Sequence, residues 1–125
     1  MIKGLHHIAI LCSDREKALA FYRDALGFSV ERTHPRPERQ DEIVMLCGYG
    51  IRLELFISKS HPPRVSDPEA YGLRHLALWV DNVEQLTARL TQGGYSPEPI
   101  RRDSFTGEKM TFVKDPDGLP IELHE

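Results

Sequence analysis

Residues 7–10 of the chain read HIAI and residues 75–78 read HLAL, so a histidine followed by a short apolar run occurs twice. The two histidines are 68 positions apart, and the same offset relates two further pairs, Gly50 with Gly118 and Glu54 with Glu122. Three chemically distinctive positions therefore share one offset without a gap. This pattern predicts an internal duplication, in which each half of the chain repeats one structural unit.

Each half has the residue pattern of one strand, one helix and three further strands. In the first half we predict strands at 8–12, 28–32, 42–47 and 51–57, a helix at 15–26 and a loop at 33–41. In the second half we predict strands at 74–80, 95–100, 108–114 and 119–124, with a helix from 83 to about 92. The expected fold class is therefore α+β.

A segment of low apolar content, which contains Pro62, Pro63 and Pro68, separates the two halves. We predict one domain over residues 1–125, made of a module at about 1–58, a linker at about 59–72 and a module at about 73–125. A chain of 125 residues is long enough to bury a hydrophobic core of its own.

Strand alternation predicts that the repeated histidines and glutamates share one face of the sheet. Each glutamate lies between two aliphatic residues, which we expect to pack on the helices because successive side chains of a strand point to opposite faces. A carboxylate beside apolar strands is costly to bury unless it is paired or binds a cation. His7, Glu54, His75 and Glu122 are therefore predicted to form a pseudo-symmetric metal site. Such ligands suit a borderline divalent ion such as Zn, Ni, Co, Fe or Mn.

The offset also distinguishes the two adjacent histidines near the start of the chain. His7 corresponds to His75, whereas His6 corresponds to Arg74, which is not a metal ligand. We therefore assign the ligand role to His7. His6 is expected to face the other side of the strand and is assigned no role.

Composition and charge limit the classes of partner. The formal net charge is −3, which disfavours nucleic acid. The longest apolar stretch, at 8–12, is far too short to span a bilayer, and the first residues lack the apolar core of a signal peptide. Cys12 and Cys47 form no paired motif and are expected to remain thiols. His124 shares the face of Glu122 and ends the chain, so a frayed terminus is favoured over a role at the rim of the site. The sequence predicts a cytoplasmic protein with a small-molecule substrate.

The chain resembles the vicinal oxygen chelate superfamily, also called the glyoxalase/bleomycin resistance/dioxygenase superfamily. The resemblance covers nearly the whole chain and is closest to small bacterial glyoxalase I-like proteins. It rests on HHIAI at 6–10, FYRDALGF at 21–28, GLRHLALWVDN at 72–82 and DPDGLPIELHE at 115–125. The resemblance implies two tandem βαβββ modules that form a curved mixed sheet around a metal cavity, with the helices outside. The family's ligand positions fall on His7, Glu54, His75 and Glu122.

The resemblance also implies a reaction. Glyoxalase I isomerises the hemithioacetal of methylglyoxal and glutathione to S-lactoylglutathione through an enediolate, and a glutamate at the metal moves the proton. By this resemblance Glu122 is the base and Glu54 is its pseudo-symmetric partner. The expected activity is that of a metal-dependent lyase or isomerase of the lactoylglutathione lyase type, with one divalent ion per site.

Two positions differ from the glyoxalase I pattern. The arginine that usually follows the first metal histidine by four residues is here Leu11, and the asparagine four residues after the first metal glutamate is here Ser58. Both differences disfavour glutathione as the thiol. The expected substrate contacts are three apolar and three cationic side chains: Leu11, Phe56, Trp79, Arg52, Arg102 and Lys109, with Arg101 as a further cation that could hold an anion.

Other activities of the superfamily remain open. An epimerase of an acyl thioester would use the same enolate chemistry. Dioxygenases and thiol transferases usually have three protein ligands, and drug-binding resistance proteins lack the ligand set, so a four-ligand set disfavours these classes. In several relatives a second chain completes the cavity, and we therefore expect a homodimer. The linker length leaves both intrachain and exchanged pairing of the modules open.

Overall fold

The computed structural model describes residues 1–125, which divide into two compact units, Met1–Pro62 and Pro63–Glu125. The division falls inside the segment that the sequence marks as a linker. Each unit contains a four-stranded mixed sheet and one main helical segment. This composition confirms the predicted α+β class.

The first unit contains four strands and a two-part helical segment. Its elements are β1 (Ile8–Cys12), α1 (Arg15–Leu19) with a π-helix (Ala20–Ala25), β2 (Ser29–Arg36), a 3₁₀ turn (Pro37–Arg39), β3 (Asp41–Gly48) and β4 (Ile51–Ile57). The strand order is β1-β4-β3-β2. Strand β1 is parallel to β4, whereas the other neighbouring pairs are antiparallel.

The second unit repeats this topology. Its elements are β5 (Leu76–Trp79), α2 (Val83–Gln92), β6 (Arg101–Arg102), β7 (Lys109–Lys114) and β8 (Pro120–His124). The strand order is β5-β8-β7-β6, and β5 is parallel to β8. The register repeats as well, because Ala9 lies opposite Glu54 and Ala77 lies opposite Glu122. The offset of the duplication therefore holds for the backbone pairing of the two parallel pairs.

Strands β4 and β8 alternate between a buried and a partly exposed face. Their aliphatic side chains are fully buried: Leu53, Leu55, Ile121 and Leu123. Glu54 and Glu122 lie between them and remain partly exposed. Removing the aliphatic groups from water stabilises each unit by about 1.5–3 kcal/mol per side chain. The predicted division into an apolar and a polar face is confirmed.

Each helical segment starts at a polar cap. The Asp14 carboxylate accepts a hydrogen bond from the backbone N–H of Lys17 at 2.9 Å, and the Asn82 side chain accepts one from Gln85 at 2.7 Å. These bonds satisfy N–H groups that have no partner within the helix. The first segment widens into a π-helix, where the Leu26 N–H donates to the carbonyl oxygen of Phe21. The predicted helices thus form, although the first is not α-helical throughout.

The loop predicted at 33–41 is wrong for most of its length. Strand β2 continues to Arg36 and pairs with β3, and only a short 3₁₀ turn separates the two strands. Pro35 is tolerated because β2 is an edge strand, where a missing N–H costs no internal hydrogen bond. The guanidinium of Arg36 closes the turn by donating to both carboxylate oxygens of Asp41, at 2.8 and 2.6 Å.

The strand predicted at 95–100 is also wrong, because pairing with β7 is limited to Arg101 and Arg102. Pro97 and Pro99 have no N–H to donate to a strand ladder. One backbone bond from this stretch to β7 remains, from the Glu98 N–H to the carbonyl oxygen of Phe112 at 2.8 Å.

Two further features bear on the expectations from composition. Cys12 is buried and Cys47 is half-buried, and both remain thiols as predicted. None of the helices combines the length and apolar character needed to cross a membrane.

Candidate active site

In the first unit, β1 and β4 bring His7 and Glu54 together. His7 directly precedes β1, and Glu54 lies opposite Ala9 of that strand. Nε2 of His7 is 3.8 Å from Oε2 of Glu54. The side chains are 35% and 19% exposed, respectively, so the pair is reachable from solvent. The parallel register of β1 and β4 is what sets this approach.

In the second unit, β5 and β8 bring together the equivalent pair more closely. Nε2 of His75 is 2.8 Å from Oε2 of Glu122, with exposures of 29% and 13%. Phe112 lies opposite Glu122 in β7, and its ring meets the His75 ring edge-on at a centroid distance of 5.1 Å. The aromatic contact limits the orientations that the imidazole can adopt.

His6 does not face away from His7 as the sequence predicted. Their Nδ1 atoms are 2.8 Å apart, and their rings meet edge-on at 5.1 Å. The prediction was wrong because β1 begins only at Ile8, so strand alternation does not apply to the residues before it. The contact engages Nδ1 of His7 and leaves Nε2 on the side of Glu54. Histidines that bind metal ions commonly have their second ring nitrogen held in this way.

His124 lies beside Glu122 in an environment that sequence reasoning missed. Its Nε2 lies 3.0 Å from Oδ2 of Asp103, and its Nδ1 lies 2.6 Å from the carbonyl oxygen of Glu125. The contact with Asp103 raises the pKa of His124 above its usual value, and the Glu125 carbonyl raises it further. The expected fraying is wrong, because His124 pairs with Met110 in the β8–β7 ladder.

Asp103 is held in the turn between β6 and β7. Its Oδ1 accepts hydrogen bonds from the backbone N–H groups of Phe105 and Thr106, at 2.7 and 3.3 Å. The contact with His124, followed by the Phe105 N–H, lowers the pKa of Asp103. A turn residue has no periodic signal, so only the shared face of His124 and Glu122 was visible in the sequence.

Asp103, Glu122 and His124 form a cluster on the second unit. One ligand atom from each of the three side chains lies within 4.8 Å of the others. The corresponding positions of the first unit are Pro35 and Phe56 beside Glu54. Those residues offer no ligand atom, so the cluster belongs to the second unit alone.

The three predicted apolar contacts lie on the same sheet faces as the histidine–glutamate pairs of their own units. Leu11 lies opposite Phe56, one position beyond the pair of Ala9 and Glu54. The Leu11 side chain is 54% exposed, and Trp79 is 92% exposed on β5. Phe56 is half-buried, with the Arg36 guanidinium 5.2 Å from its ring centroid.

Among the predicted cationic contacts, Arg52 has the same strand parity as Glu54 on β4. Its guanidinium forms an ion pair with Glu31 at 3.1 Å. Arg52 is exposed, so the pair is open to solvent and to competing anions.

The structure does not bring Lys109 or Arg102 to the face of Glu122. Lys109 lies three residues from Phe112, so alternation along β7 points it to the opposite face, where its ammonium contacts Glu84 of α2 at 2.9 Å. Arg102, its partner in β6, donates to the carbonyl oxygen of Gly107 at 2.8 Å.

Of the two adjacent arginines that the sequence offered as anion contacts, Arg101 and not Arg102 lies on the side of Phe112. Its guanidinium lies 5.4 Å from the ring centroid of Phe112 and contacts Glu98 at 3.0 Å. Because Phe112 also contacts His75, Arg101 is the cation of β6 on the side of the candidate site.

The first unit also has an open cleft of about 650 Å³ between the start of α1 and the β2–β3 hairpin. Arg15 and Glu42 line it and form an ion pair at 2.7 Å. None of the predicted site residues lines this cleft.

Comparison with known proteins identifies the family. The family model of the Glyoxalase/Bleomycin resistance protein/Dioxygenase superfamily matches residues 4–123. The chain belongs to this superfamily. The crystal structure of a glyoxalase family protein from Enterococcus faecalis has a TM-score of 0.93 and 50% sequence identity, with 98% of each chain covered. The resemblance seen in the sequence is thereby confirmed.

Curated relatives within the superfamily differ in what is known of them. The chain is 45% identical over 126 residues to the uncharacterized protein YwkD of Bacillus subtilis, covering 100% of this chain and 98% of YwkD. It is 33% identical over 129 residues to lactoylglutathione lyase of Salmonella typhimurium, covering 97% and 91%. It is also 33% identical over 132 residues to mouse mitochondrial methylmalonyl-CoA epimerase, covering 97% and 72%.

Members of the superfamily typically bind a divalent metal ion, and the residues present fit one. In each unit an imidazole nitrogen and a carboxylate oxygen lie side by side, at 3.8 and 2.8 Å. Neighbouring ligand atoms around an ion with bonds of about 2.1 Å lie about 3 Å apart. In each unit, small side-chain movements would therefore let the histidine nitrogen and the glutamate oxygen bind the same ion.

Proposed function

We propose that the protein is a metal-dependent lyase or isomerase of the glyoxalase I type. His7, Glu54, His75 and Glu122 are the proposed ligands of one divalent ion, Ni or Zn, with Co, Mn or Fe as alternatives. The observation that supports this proposal is the same histidine–glutamate pair at equivalent positions of two units, with Nε2–Oε2 distances of 3.8 and 2.8 Å.

The proposed reaction is proton transfer between neighbouring carbons of an α-oxoaldehyde thiol hemithioacetal, through an enediolate. When bound, the metal ion supplies Lewis-acid polarisation of the substrate oxygens. Glu122 is the proposed base, because its carboxylate is the less exposed of the two at 13%, against 19% for Glu54. A shielded carboxylate has fewer water molecules competing for the proton that it moves.

The neighbours of the histidines hold them in position for this role. His6 engages Nδ1 of His7 at 2.8 Å, and Phe112 restricts the ring of His75. Each contact reduces the rotamer freedom that ligand binding would otherwise remove. The donor atoms are therefore partly pre-ordered on their strands.

The proposed substrate is a small thiol adduct with apolar character. Leu11 and Trp79 present exposed apolar surface on the faces of the histidine–glutamate pairs. Leu11 stands where the glyoxalase I pattern has an arginine, and this change disfavours binding of the glutathione carboxylate. Ser58, which stands where that pattern has an asparagine, disfavours glutathione as well. Arg101 and Arg52 are the cations on these faces that remain for an anionic group.

An acyl-thioester epimerase is the second candidate. The 33% identity to methylmalonyl-CoA epimerase over 97% of this chain favours it, and removal of a proton beside a carbonyl is common to both reactions.

We also propose a cytoplasmic homodimer, in which a second copy shields apolar side chains such as Trp79 from water.

The test of the proposed function is metal reconstitution. Chelator-treated protein is supplied separately with Ni, Zn, Co or Mn, and each form is assayed with hemithioacetals of glutathione and of smaller thiols. Deuterium uptake beside the carbonyl of an acyl thioester tests the epimerase. We expect activity only with metal, and a loss in Glu122→Gln. Activity that persists without metal, or in Glu122→Gln at the wild-type level, contradicts the mechanism.

A further inference from the structure

The Asp103–His124 pair is the feature of the second unit that the proposed function leaves unused. Both nitrogens of His124 already have acceptors, the Asp103 carboxylate at 3.0 Å and the Glu125 carbonyl at 2.6 Å. Asp103 is in turn fixed by the N–H groups of its own turn. The His124 imidazole is therefore fixed by hydrogen bonds to the protein at both ring nitrogens, and neither nitrogen is left for a substrate in this arrangement.

This held imidazole lies beside the carboxylate that we assign as the base. Glu122 and His124 share one face of β8, and their polar atoms lie within 4.8 Å of each other and of Asp103. His75 contacts the same carboxylate at 2.8 Å. Glu122 is thus bounded by polar groups from β5, from its own strand and from the β6–β7 turn.

The first unit has no such arrangement around Glu54. The residue equivalent to His124 is Phe56, and the residue equivalent to Asp103 is Pro35. The two halves of a duplication start with the same sequence. A polar pair beside only one of the two glutamates therefore means that the surroundings of Glu54 and Glu122 diverged afterwards.

We propose that Asp103 and His124 are positioning residues for Glu122, which they restrict to the conformation that binds metal with His75 and moves the proton. The inference rests on the proposed function and deepens it, because it gives a physical reason why Glu122 rather than Glu54 is the base. The pair acts through Glu122 and contacts neither metal nor substrate. A loss of the pair therefore matters only while Glu122 is present.

A double-mutant cycle on metal affinity tests this dependence without using activity. His124→Phe, which installs the residue of the first unit, and Asp103→Asn are each combined with Glu122→Gln and, separately, with Glu54→Gln. Calorimetric titration with Co²⁺ or Zn²⁺ measures affinity and stoichiometry, and thermal melting reports folding. Loss of a group that orients a ligand typically weakens binding about tenfold.

We expect that tenfold loss in the wild-type and Glu54→Gln backgrounds, and no further loss in the Glu122→Gln background. Lys109→Met is the matched control, because it removes an ion pair of 2.9 Å on the other face of the same sheet and should leave affinity unchanged. His124→Gln replaces His124→Phe if the latter fails to fold. With an active substrate, kcat should fall while KM is retained.

Equal losses in all three backgrounds, or no loss in any, overturn the positioning role. Two ions bound per chain, with the second lost in Asp103→Asn, would instead make the cluster a separate metal site and also overturn it. A wild-type protein that binds metal but turns over no tested substrate contradicts the proposed function, while the cycle still decides the positioning role. A wild-type protein that binds no divalent ion overturns both.

Discussion

The two units carry the same histidine–glutamate pair but surround it differently. In the first unit, His7 and Glu54 are 3.8 Å apart and the contact to the histidine comes from His6. In the second unit, the equivalent atoms are 2.8 Å apart, an aromatic ring covers the histidine, and a second polar pair lies beside Glu122. The strand register that creates the pair was retained through the duplication, whereas the neighbours of the pair diverged. The comparison teaches that equivalent positions of one pair can acquire different surroundings, and this difference is the basis of the unequal roles proposed for the two glutamates.

Replacing each glutamate by glutamine is the change expected to separate the units most. Glu122→Gln removes the proposed base, so kcat should fall about 10³-fold, which is within the range for loss of general base catalysis. Glu54→Gln removes the negative charge of a proposed metal ligand but not the proposed base. It should weaken metal binding and reduce kcat by a smaller factor than Glu122→Gln does. Steady-state assays at saturating metal measure both. Equal losses in the two variants would contradict the assignment of Glu122 as the base.

The cores of the units should respond alike, in contrast to their sites. Leu55 and Leu123 occupy equivalent positions and are both fully buried. Truncation of either to alanine leaves a cavity and should lower the free energy of unfolding by about 2–5 kcal/mol. Urea denaturation measures the loss. A loss in one variant that is several times the loss in the other would show that the two cores are not equivalent.

Removal of the proposed histidine ligands tests whether both pairs serve the same ion. His7→Ala and His75→Ala should each weaken metal binding by at least about 100-fold, more than an outer partner contributes. Calorimetric titration of the chelator-treated proteins measures the affinity. If either variant retains wild-type affinity, the four-ligand proposal fails for that unit.

His6→Ala should weaken metal binding less than His7→Ala does in the same titration. It removes the group that engages Nδ1 of His7 but leaves the ligand atom in place, so affinity should fall about tenfold and binding should persist. The residue equivalent to His6 in the second unit is Arg74, whose guanidinium pairs with Glu69 at 2.9 Å. Arg74→Ala is therefore the matched control, and a comparable loss there would count against an orienting role for His6.

The extent to which sequence predicted the molecule follows from the range of the interactions involved. The duplication and the alternation of β4 and β8 predicted the α+β class and the two faces, because side-chain periodicity is local. The ends of elements were less predictable, since Pro35 is accommodated at a sheet edge whereas Pro97 and Pro99 prevent strand pairing. Whether a proline sits at an edge depends on the assembled sheet.

The candidate site shows the same limit. The pairing of each histidine with its glutamate follows from a repeat that is visible in the chain. The contact of His124 with Asp103 does not, because it joins a strand to a turn 21 residues away. The predictions for Lys109 and Arg102 rest on charge alone, whereas the face that each side chain occupies depends on a strand register that charge does not encode.

The smallest expected effect concerns the ion pair that closes the β2–β3 turn of the first unit. In the first unit, Arg36 holds the pKa of the Asp41 carboxyl below its ordinary value of 3.8. Folded protein therefore binds fewer protons here than unfolded protein, so the stabilisation is present above the ordinary pKa and is lost as pH falls through the lowered pKa. Asp41→Asn should be slightly less stable than wild type at neutral pH, with the difference vanishing in acid. Thermal melting across this pH range measures it. Salt should reduce the difference as well, because the pair is accessible to solvent. A difference that stays constant down to strongly acidic pH would mean that the turn is held by its backbone and not by this ion pair.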